Sequence, residues 1–311
     1  MFADQARISK LGTQYNHTDP NAYSDSFSFK QTTQTGNGYY RSIALTNGAI
    51  YDLLDNSNGN VSFSYIWWGK LVFRSSYYRN YRQYFTPIIY SASNTTGTPG
   101  LNCAFVVRHH AGSDTSNLYN QGPTVRAYPR PASNSTVTNS CNLYSWGSAN
   151  LSNKQKKLSD WTFIAVSLYK NAPSDSIIRS DWYIDGEFKT THSTNTSSGY
   201  GLGHNNNYDN VFFAHRGTVY SLYHNYSVSK SCLYASNNGS KLTQADVDAH
   251  YNNGLHIDWS NISMSSGHTR LTYYEFGDDP NDTSTNIQDL SGNGFHLNAK
   301  SGDGEIVQDA P

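Results

Sequence analysis

The chain has 311 residues, a formal net charge of −1 and 14% charged residues, compared with about 25% in an ordinary soluble domain. Its mean hydropathy of −0.65 therefore comes from uncharged polar groups, and Ser, Thr and Asn make up about a third of the sequence. Glu occurs three times, which disfavours a mainly helical protein. The balance of 22 basic against 23 acidic residues disfavours a basic nucleic-acid-binding protein. An aromatic content of 14% argues against disorder.

These residue types are typical of a β-rich domain, in which Ser, Asn and Gly form turns and aromatic and β-branched residues form strands. We predict a single domain over residues 1–311, with residues 1–25 as an N-terminal arm or docking segment. The sequence shows no signal peptide and no stretch approaching the roughly 20 apolar residues of a membrane span. Cys103, Cys141 and Cys232 are far apart and odd in number, so we expect buried free thiols.

The first predicted strands alternate polar and apolar residues. Residues 26–29 show this pattern, and residues 61–67 repeat it. The second alternation places four side chains on one face of a half-buried strand: Val61, Phe63, Tyr65 and Trp67. Residues 161–169 are apolar on both faces, which predicts a central strand that is covered on both sides. Further strands are predicted at 85–90, 103–108, 211–214, 219–226 and 271–276.

Two local signals in the second half of the chain are specific. Asp185-Gly186 joins two alternating runs, and this dipeptide predicts a tight β-hairpin. Thr243, followed three residues later by Asp246, predicts the capped start of one short helix that ends at Gly254. Val247 and Tyr251 would share a face of it. Polar stretches predict exposed loops at 94–100, 133–140, 195–207 and 281–294.

Four segments occur in an order that supports a family resemblance. They are Phe63–Trp68, Leu158–Val166, Trp182–Gly186 and Gly217–Tyr223. This order resembles the concanavalin A-like, laminin-G-like jelly-roll family, over roughly residues 60–300. The family's usual acidic pair in the last segment is replaced by Tyr220 and Ser221. The resemblance implies an all-β, two-sheet antiparallel jelly-roll sandwich with one short helix.

The C-terminal part carries a second resemblance. Residues 271–283 contain Tyr-Glu-Phe-Gly-Asp, and residues 287–296 contain Asp-Leu-Ser-Gly-Asn-Gly. Together they resemble the closing segment of jelly-roll proteins from tailed-phage virions, which returns to pair near the N-terminal strands. The resemblance implies a capsid decoration, head-fibre or tail-fibre protein that is assembled in the host cytoplasm. Its implied partners are capsid or tail subunits and further copies of the same chain.

Some residues of the chain have the side chains of catalytic groups but also have ordinary structural explanations. The fold also supports glucanases, which need two carboxylates on one strand face about 5–5.5 Å apart. Even numbers of residues separate Asp181, Asp185 and Glu187, so a continuous strand would direct all three to one face. Asp185, however, is better explained as part of the hairpin turn. His109 and His110 are adjacent, so a strand would direct them to opposite faces and make a poor metal site. We therefore predict that the protein is not an enzyme.

A calcium site is the one cofactor that the sequence leaves open. Asp278, Asp279 and Asp282 lie in a polar stretch that is rich in oxygen ligands, with Asp289 further along. Their spacing matches no EF-hand, and capping of loop turns is the alternative role. No other cofactor is predicted.

One segment interleaves Arg and Tyr, and it supplies the candidate binding residues: Arg74, Tyr77, Tyr78, Arg79, Tyr81, Arg82 and Tyr84. Both residue types are enriched at protein–protein interfaces. Ordinary strand packing and a surface glycan contact are the alternatives, whereas single-stranded nucleic acid would need a wider basic groove. The sequence thus predicts a non-enzymatic virion structural protein on the particle surface. The alternative is a lectin-like module that binds a host glycan receptor.

Overall fold

The structure is a computed structural model, and it describes residues 28–31, 40–43, 60–71, 83–91, 103–111, 123–127, 141–144, 161–195, 210–213, 226–255, 257–265, 267–299, 304–307 and 311. These ranges contain sixteen strands and one α-helix. The strands of the first half are β1 (Ser28–Gln31), β2 (Tyr40–Ile43), β3 (Ser62–Leu71), β4 (Gln83–Ser91), β5 (Cys103–Ala111), β6 (Pro123–Ala127) and β7 (Cys141–Tyr144). Those of the second half are β8 (Thr162–Tyr169), β9 (Ile177–Ile184), β10 (Glu187–Asn195), β11 (Asn210–Phe213), β12 (Tyr226–Ser236), β13 (His268–Tyr274), β14 (Asn286–Ile287), β15 (Leu297–Ala299) and β16 (Gly304–Val307). The helix is α1 (Gln244–Tyr251), followed by a 3₁₀ turn at Asn252–Gly254.

The strands form two eight-stranded sheets. The first has the order β10-β9-β8-β3-β12-β1-β16, with β13 also paired to β12, and the second has the order β14-β15-β2-β11-β4-β5-β6-β7. The strand pairings are antiparallel. The predicted all-β, two-sheet antiparallel sandwich with a short helix is confirmed. The strands predicted at 85–90, 103–108, 211–214 and 271–276 correspond to β4, β5, β11 and β13.

Two strands after residue 296 return to the first strands of the chain. The segment 271–296, to which the resemblance assigned this return, pairs instead with β12 through β13 and with β15 through β14. In the first sheet β16 pairs with β1, placing Ile306 opposite Phe29. In the second sheet β15 pairs with β2, placing Asn298 opposite Arg41. Each sheet is therefore completed by residues from both halves of the chain.

Strand β8 is central and buried on both faces, as predicted, between β3 and β9. The prediction that β3 is half-buried is wrong, because its polar face is buried as well. Ser64 Oγ lies 2.9 Å from Ser167 Oγ in β8, and Ser62 donates to the carbonyl oxygen of Ser240. These serines are hydrogen-bonded inside the protein rather than to water. The alternation of polar and apolar residues therefore could not show that the polar face of β3 is also covered by protein.

Helix α1 and the segment 257–265 cover that outer face of the first sheet. The buried cluster beneath them takes residues from five strands and from the cover: Ile66, Trp68, Phe163, Ala165, Tyr183, Cys232, Tyr234, Leu242, Val247, Trp259 and Tyr273. Cys232 is a buried free thiol, as predicted, and burial raises its pKa to about 12. The side chains of Cys103 and Cys141 lie outside the described part of the structure.

Helix α1 begins where its capping signal predicts. Thr243 Oγ1 accepts a hydrogen bond from Asp246 N, and Thr243 N donates to Asp246 Oδ2 over 2.8 Å, which completes a capping box. The predicted end at Gly254 is wrong by three residues. The helix ends at Tyr251, because Asn252 adopts a left-handed conformation with φ of 42° and acts as the C-cap.

The predicted Asp185-Gly186 hairpin is confirmed between β9 and β10. Both residues have positive φ, 49° and 78°, and Glu187 pairs with Ile184, as a tight two-residue turn requires. Gly186 also lies against the ring of Tyr251, where a Cβ atom would come within 2.3 Å of Tyr251 Cδ1. The hairpin end is thereby packed directly under the last turn of α1.

Strand β12 is the main element that the sequence did not reveal. The predicted strand 219–226 falls outside the described residues except for Tyr226, where β12 begins. The sequence Tyr-Ser-Val-Ser-Lys-Ser-Cys has a charge at its centre, yet Lys230 is 0% exposed. Its Nζ donates to Ile257 O over 2.6 Å and lies 3.3 Å from Glu275 Oε1. These two partners offset the free-energy cost of removing the lysine charge from water.

Residues 1–25, the predicted loops at 94–100 and 133–140, and the segment Gly217–Tyr223 lie outside the described residues. The predicted loop 195–207 also lies outside them, except for Asn195, which is the last residue of β10. No helix within the described ranges has the length and apolar character needed to cross a bilayer.

Candidate functional site

The predicted Arg/Tyr-rich binding segment lies almost wholly outside the described residues, including Arg74, Tyr77, Tyr78, Arg79, Tyr81 and Arg82. Tyr84 belongs to β4, where its backbone pairs opposite His110 of β5. The proposed binding role of this segment stays a prediction.

The three carboxylates considered for catalysis have separate structural partners. Asp181 is bonded to Tyr169, Thr191 and Lys241. Asp185 Oδ1 accepts from Phe163 N over 3.1 Å at the hairpin turn, and Glu187 forms an ion pair with Lys189. This arrangement gives each carboxylate a structural contact of its own.

Two of the predicted calcium ligands, Asp279 and Asp282, accept hydrogen bonds from nearby backbone N–H groups. Asp279 Oδ1 accepts from Asn281 N over 2.8 Å. Asp282 accepts from Gly277 N over 2.8 Å and from Gln288 N over 2.7 Å, and burial raises its pKa to about 6. The predicted loop 281–294 contains the short strand β14. Asp289, which follows β14, receives bonds from the backbone N–H groups of Tyr273 and Phe295 and so ties this segment to β13. In the described ranges no three His, Cys, Asp or Glu residues are grouped to hold a metal, and calcium binding at Asp278, Asp279 and Asp282 stays a prediction.

Asp181 is the centre of a polar cluster at the margin of the first sheet. Its side chain is 1% exposed. Oδ1 accepts from Thr191 Oγ1 over 2.7 Å and from Tyr169 OH over 3.1 Å, while Oδ2 lies 2.6 Å from Lys241 Nζ. The buried carboxylate is thereby stabilised by an ammonium and two hydroxyl donors.

The electrostatics of this cluster keep its donors protonated. Burial raises the pKa of Tyr169, and the nearby charge of Asp181 raises it further. Burial alone would lower the pKa of Lys241, but the hydrogen bond and charge of Asp181 outweigh it and raise that pKa. Lys241 is 49% exposed and also lies over the Tyr169 ring at 5.1 Å. At neutral pH the lysine is a fixed cation and the tyrosine a neutral hydroxyl.

An exposed aromatic ring lies beside the cluster on the same face of the sheet. Phe188 pairs with Tyr183 across the hairpin and Thr191 pairs with Asp181, so Phe188 and Thr191 face the same side, about 7 Å apart along β10. Phe188 is 49% exposed, and its ring packs edge-on against Tyr183 with centroids 5.5 Å apart. We call the surface formed by Phe188, Thr191, Lys241, Tyr169 and Asp181 the β9–β10 shelf.

The segment that leads into α1, residues 241–244, borders the shelf. Leu242 N donates to Ser167 Oγ over 2.9 Å, and Tyr183 OH donates to Leu242 O over 3.2 Å. Gln244 Nε2 then donates to Gly186 O over 2.6 Å at the hairpin turn. These hydrogen bonds therefore fix the position of Lys241 relative to β9 and β10.

The sequence did not reveal the shelf. The Asp-Gly hairpin sets the pairing of β9 with β10, but a bulge between Phe188 and Thr190 shifts the register, so Thr191 rather than Thr190 lies opposite Asp181. Lys241 follows β12 in the chain and is 60 residues away from Asp181. No local pattern marks that meeting.

A second polar cluster has catalytic residue types but is closed to solvent. His250 Nε2 lies 2.9 Å from Tyr234 OH, and Arg270 lies over the Tyr234 ring. His250 and Tyr234 are 0% and 1% exposed beneath α1. We assign this cluster to the packing of the helix on the sheet.

No protein-family model and no curated protein matches the chain. Among solved structures it is similar to the binding domain of botulinum neurotoxin serotype G, with 11% identity and a TM-score of 0.39, over 71% of this chain and 46% of that one. It is also similar to peanut lectin, solved with a nonamer peptide, with 12% identity and a TM-score of 0.34. Basic winged bean lectin, solved with Tn-antigen, gives 10% identity and a TM-score of 0.32. Each lectin match covers 69% of this chain and 94% of the lectin.

The chain spans less than half the length of the neurotoxin binding-domain chains that it matches. All these TM-scores lie below 0.5, so the matches carry no functional conclusion for this chain.

Proposed function

We propose that the protein is a non-enzymatic, glycan-binding β-sandwich module whose contact surface is the β9–β10 shelf. The observation that carries the proposal is the half-exposed Phe188 ring beside exposed hydrogen-bonding groups, Thr191 and Lys241, that are anchored on a buried carboxylate. Single exposed apolar residues are ordinary on protein surfaces, and the fixed polar groups beside Phe188 are what make its ring a candidate contact surface.

This combination of groups suits a sugar. One face of a pyranose ring carries C–H bonds, which pack against the electron-rich face of an aromatic ring. Its edge carries hydroxyls, which need fixed donors and acceptors. Thr191 and Lys241 supply both, and the bonds to Asp181 hold them in place before a ligand arrives, which reduces the entropy lost on binding.

The same groups are poorly suited to catalysis. Both oxygens of Asp181 are occupied by donors of the protein itself. The raised pKa values of Lys241 and Tyr169 keep both groups protonated, so neither is poised as a general base near neutral pH. These features support binding without turnover.

A glycan array probed with the labelled full chain tests the proposal, with calorimetry on the strongest ligand. Phe188→Ala is expected to weaken binding about tenfold or more, because the stacking surface is lost, whereas Phe188→Tyr keeps it. Leu255→Ala is the matched control, since Leu255 is a 62% exposed apolar residue outside the shelf. An array without binding at high protein concentration, with and without calcium, would contradict the proposal, as would equal losses in both alanine variants.

We further place this module on the surface of a tailed-phage particle, as a capsid decoration or fibre component held by capsid or tail subunits. The support is the sequence resemblance of residues 271–296, with the Arg/Tyr segment 74–84 as the candidate docking surface. Mass spectrometry of purified particles tests this location. Detection of the chain in lysate but never in particles would refute it and leave glycan binding untouched.

A further inference from the structure

Thr191 has a fixed hydrogen-bonding role in the shelf. Its hydroxyl proton is donated to Asp181 Oδ1 over 2.7 Å. A hydroxyl has one proton and two lone pairs, so the exposed side of Thr191 Oγ1 acts as an acceptor. A bound group must therefore donate to it.

Lys241 has the opposite role. One N–H points to Asp181 Oδ2 at 2.6 Å and another to Tyr169 OH at 3.4 Å. An ammonium has three protons, so one remains for a ligand on this half-exposed side chain. Because Thr191 and Lys241 are bonded to the two oxygens of a single carboxylate, the shelf presents an acceptor and a donor side by side.

The charges of the shelf cancel locally. Lys241 is neutralised by contact with Asp181, and Lys189 is paired with Glu187. Asp248 adds a carboxylate on the adjacent helix, where its Oδ1 accepts from the neutral Gln244 amide, the same group that reaches the hairpin turn at Gly186. Burial, together with the negative charges of Asp185 and Glu187, raises the pKa of Tyr251 at the hairpin end. The surroundings are neutral to negative, which disfavours an anionic ligand.

We infer that the shelf binds an uncharged pyranose through two neighbouring hydroxyls, one donating to Thr191 Oγ1 and one accepting from Lys241 Nζ, with the apolar face of the sugar on Phe188. This inference rests on the proposed function and specifies its ligand class. A sugar with a carboxylate gains little from Lys241, whose charge is already satisfied, and is repelled by the carboxylates around the hairpin and α1.

Matched sugar pairs test the inference: methyl glucopyranoside against methyl glucuronopyranoside, and the corresponding galactose and mannose pairs. Each pair has the same ring hydroxyls and differs in the charge at C6. By calorimetry, at least one neutral member is expected to bind about fivefold or more tighter than its acidic partner. Its affinity should change less than about twofold between low and high salt.

The hydroxyl contact has its own variant. Thr191→Val is expected to weaken the neutral sugar about three- to tenfold, because an acceptor is lost, and Thr191→Ser should restore binding. Thr190→Val is the matched control, because Thr190 faces the opposite side of β10. Thermal unfolding of each variant verifies that the fold is retained.

The outcomes separate this inference from the proposed function. Tighter binding of the acidic members, array binding confined to acidic glycans, or strong weakening by salt would overturn the uncharged ligand and leave glycan binding standing. Binding of neutral sugars that is unaffected by Thr191→Val would overturn the hydroxyl geometry. A blank array together with silent calorimetry overturns the proposed function itself.

Discussion

Lys241 Nζ lies 2.6 Å from Asp181 Oδ2, although the two residues are 60 positions apart in the chain. The contact joins the segment before α1 to the second-outermost strand of the first sheet. It therefore links the segment that leads into α1 to strand β9 near the edge of the sheet, and loss of this contact would weaken the attachment of both.

Replacing Lys241 with Met should destabilise the protein by about 1–2 kcal/mol. Removing one partner of a fully buried ion pair costs about 3–5 kcal/mol. The loss is smaller here because Lys241 is half exposed and Asp181 keeps its bonds from Tyr169 and Thr191. Urea unfolding measures the difference, with Lys241→Arg as the variant that retains the charge. Equal stability of Lys241→Met and the wild type would show that the pair contributes nothing.

Gly186→Ala should cost at least about 2 kcal/mol. The left-handed conformation alone costs a residue with a Cβ about 1 kcal/mol, and the new methyl group would collide with the Tyr251 ring. Gly292→Ala is the matched control, because Gly292 also has positive φ but no atom lies within 4 Å of the position of its Cβ. The difference in the two unfolding free energies isolates the Tyr251 contact. If the two variants lose the same amount, α1 does not press on the hairpin as described.

His250 should make the protein less stable as the pH falls. Burial lowers its pKa to about 4, whereas an unfolded histidine has a pKa of about 6.5. Between these values the unfolded state binds the proton first, so stability is lost as the pH falls from about 6.5 to about 4, by up to about 3 kcal/mol. Urea unfolding of the wild type and His250→Gln at pH 7, 5.5 and 4 measures this loss. The stability gap should narrow on acidification, and a constant gap would refute the linkage.

Asp282 should have the opposite effect. Burial raises its pKa to about 6, above the unfolded value of about 3.9. The folded state therefore binds the proton first, and this group adds stability as the pH falls from about 6 to about 4. Because Asp282 is partly exposed, the expected effect is about 1–2 kcal/mol. Relative to the wild type, Asp282→Asn should lose stability on acidification by this amount. A relative stability that is the same at pH 7 and pH 4 would contradict the prediction.

The sequence is sufficient for the elements whose cause is local. The apolar rows of residues 161–169 predict β8, because a strand buried on both faces shows no alternation. Asp185-Gly186 predicts the hairpin because few other dipeptides tolerate two positive φ values. The Thr243–Asp246 capping box predicts the start of α1, because its reciprocal hydrogen bonds form between residues only three positions apart.

The remaining features depend on partners that are distant in sequence. Lys230 makes β12 look like a surface segment, and only Glu275 and Ile257 O explain its burial. Ser62 and Ser64 suggest a hydrated face of β3. The face is in fact buried, because the hydrogen-bond partners of these serines come from distant parts of the chain, the loop before α1 and β8. The shelf requires both a bulge in β10 and the arrival of Lys241, and neither leaves a mark in the local pattern.

The pairing of β1 with β16 has a consequence for the order of events during synthesis. Strand β1 leaves the ribosome long before its partner, the strand Gly304–Val307, is made. Until then one edge of β1 exposes unpaired backbone groups, a surface that invites contact with other nascent chains. Loop closure over nearly the whole sequence is also slow. The first sheet can therefore be completed only after Gly304–Val307 has been made, and truncation before Gly304 would leave that edge of β1 permanently unpaired.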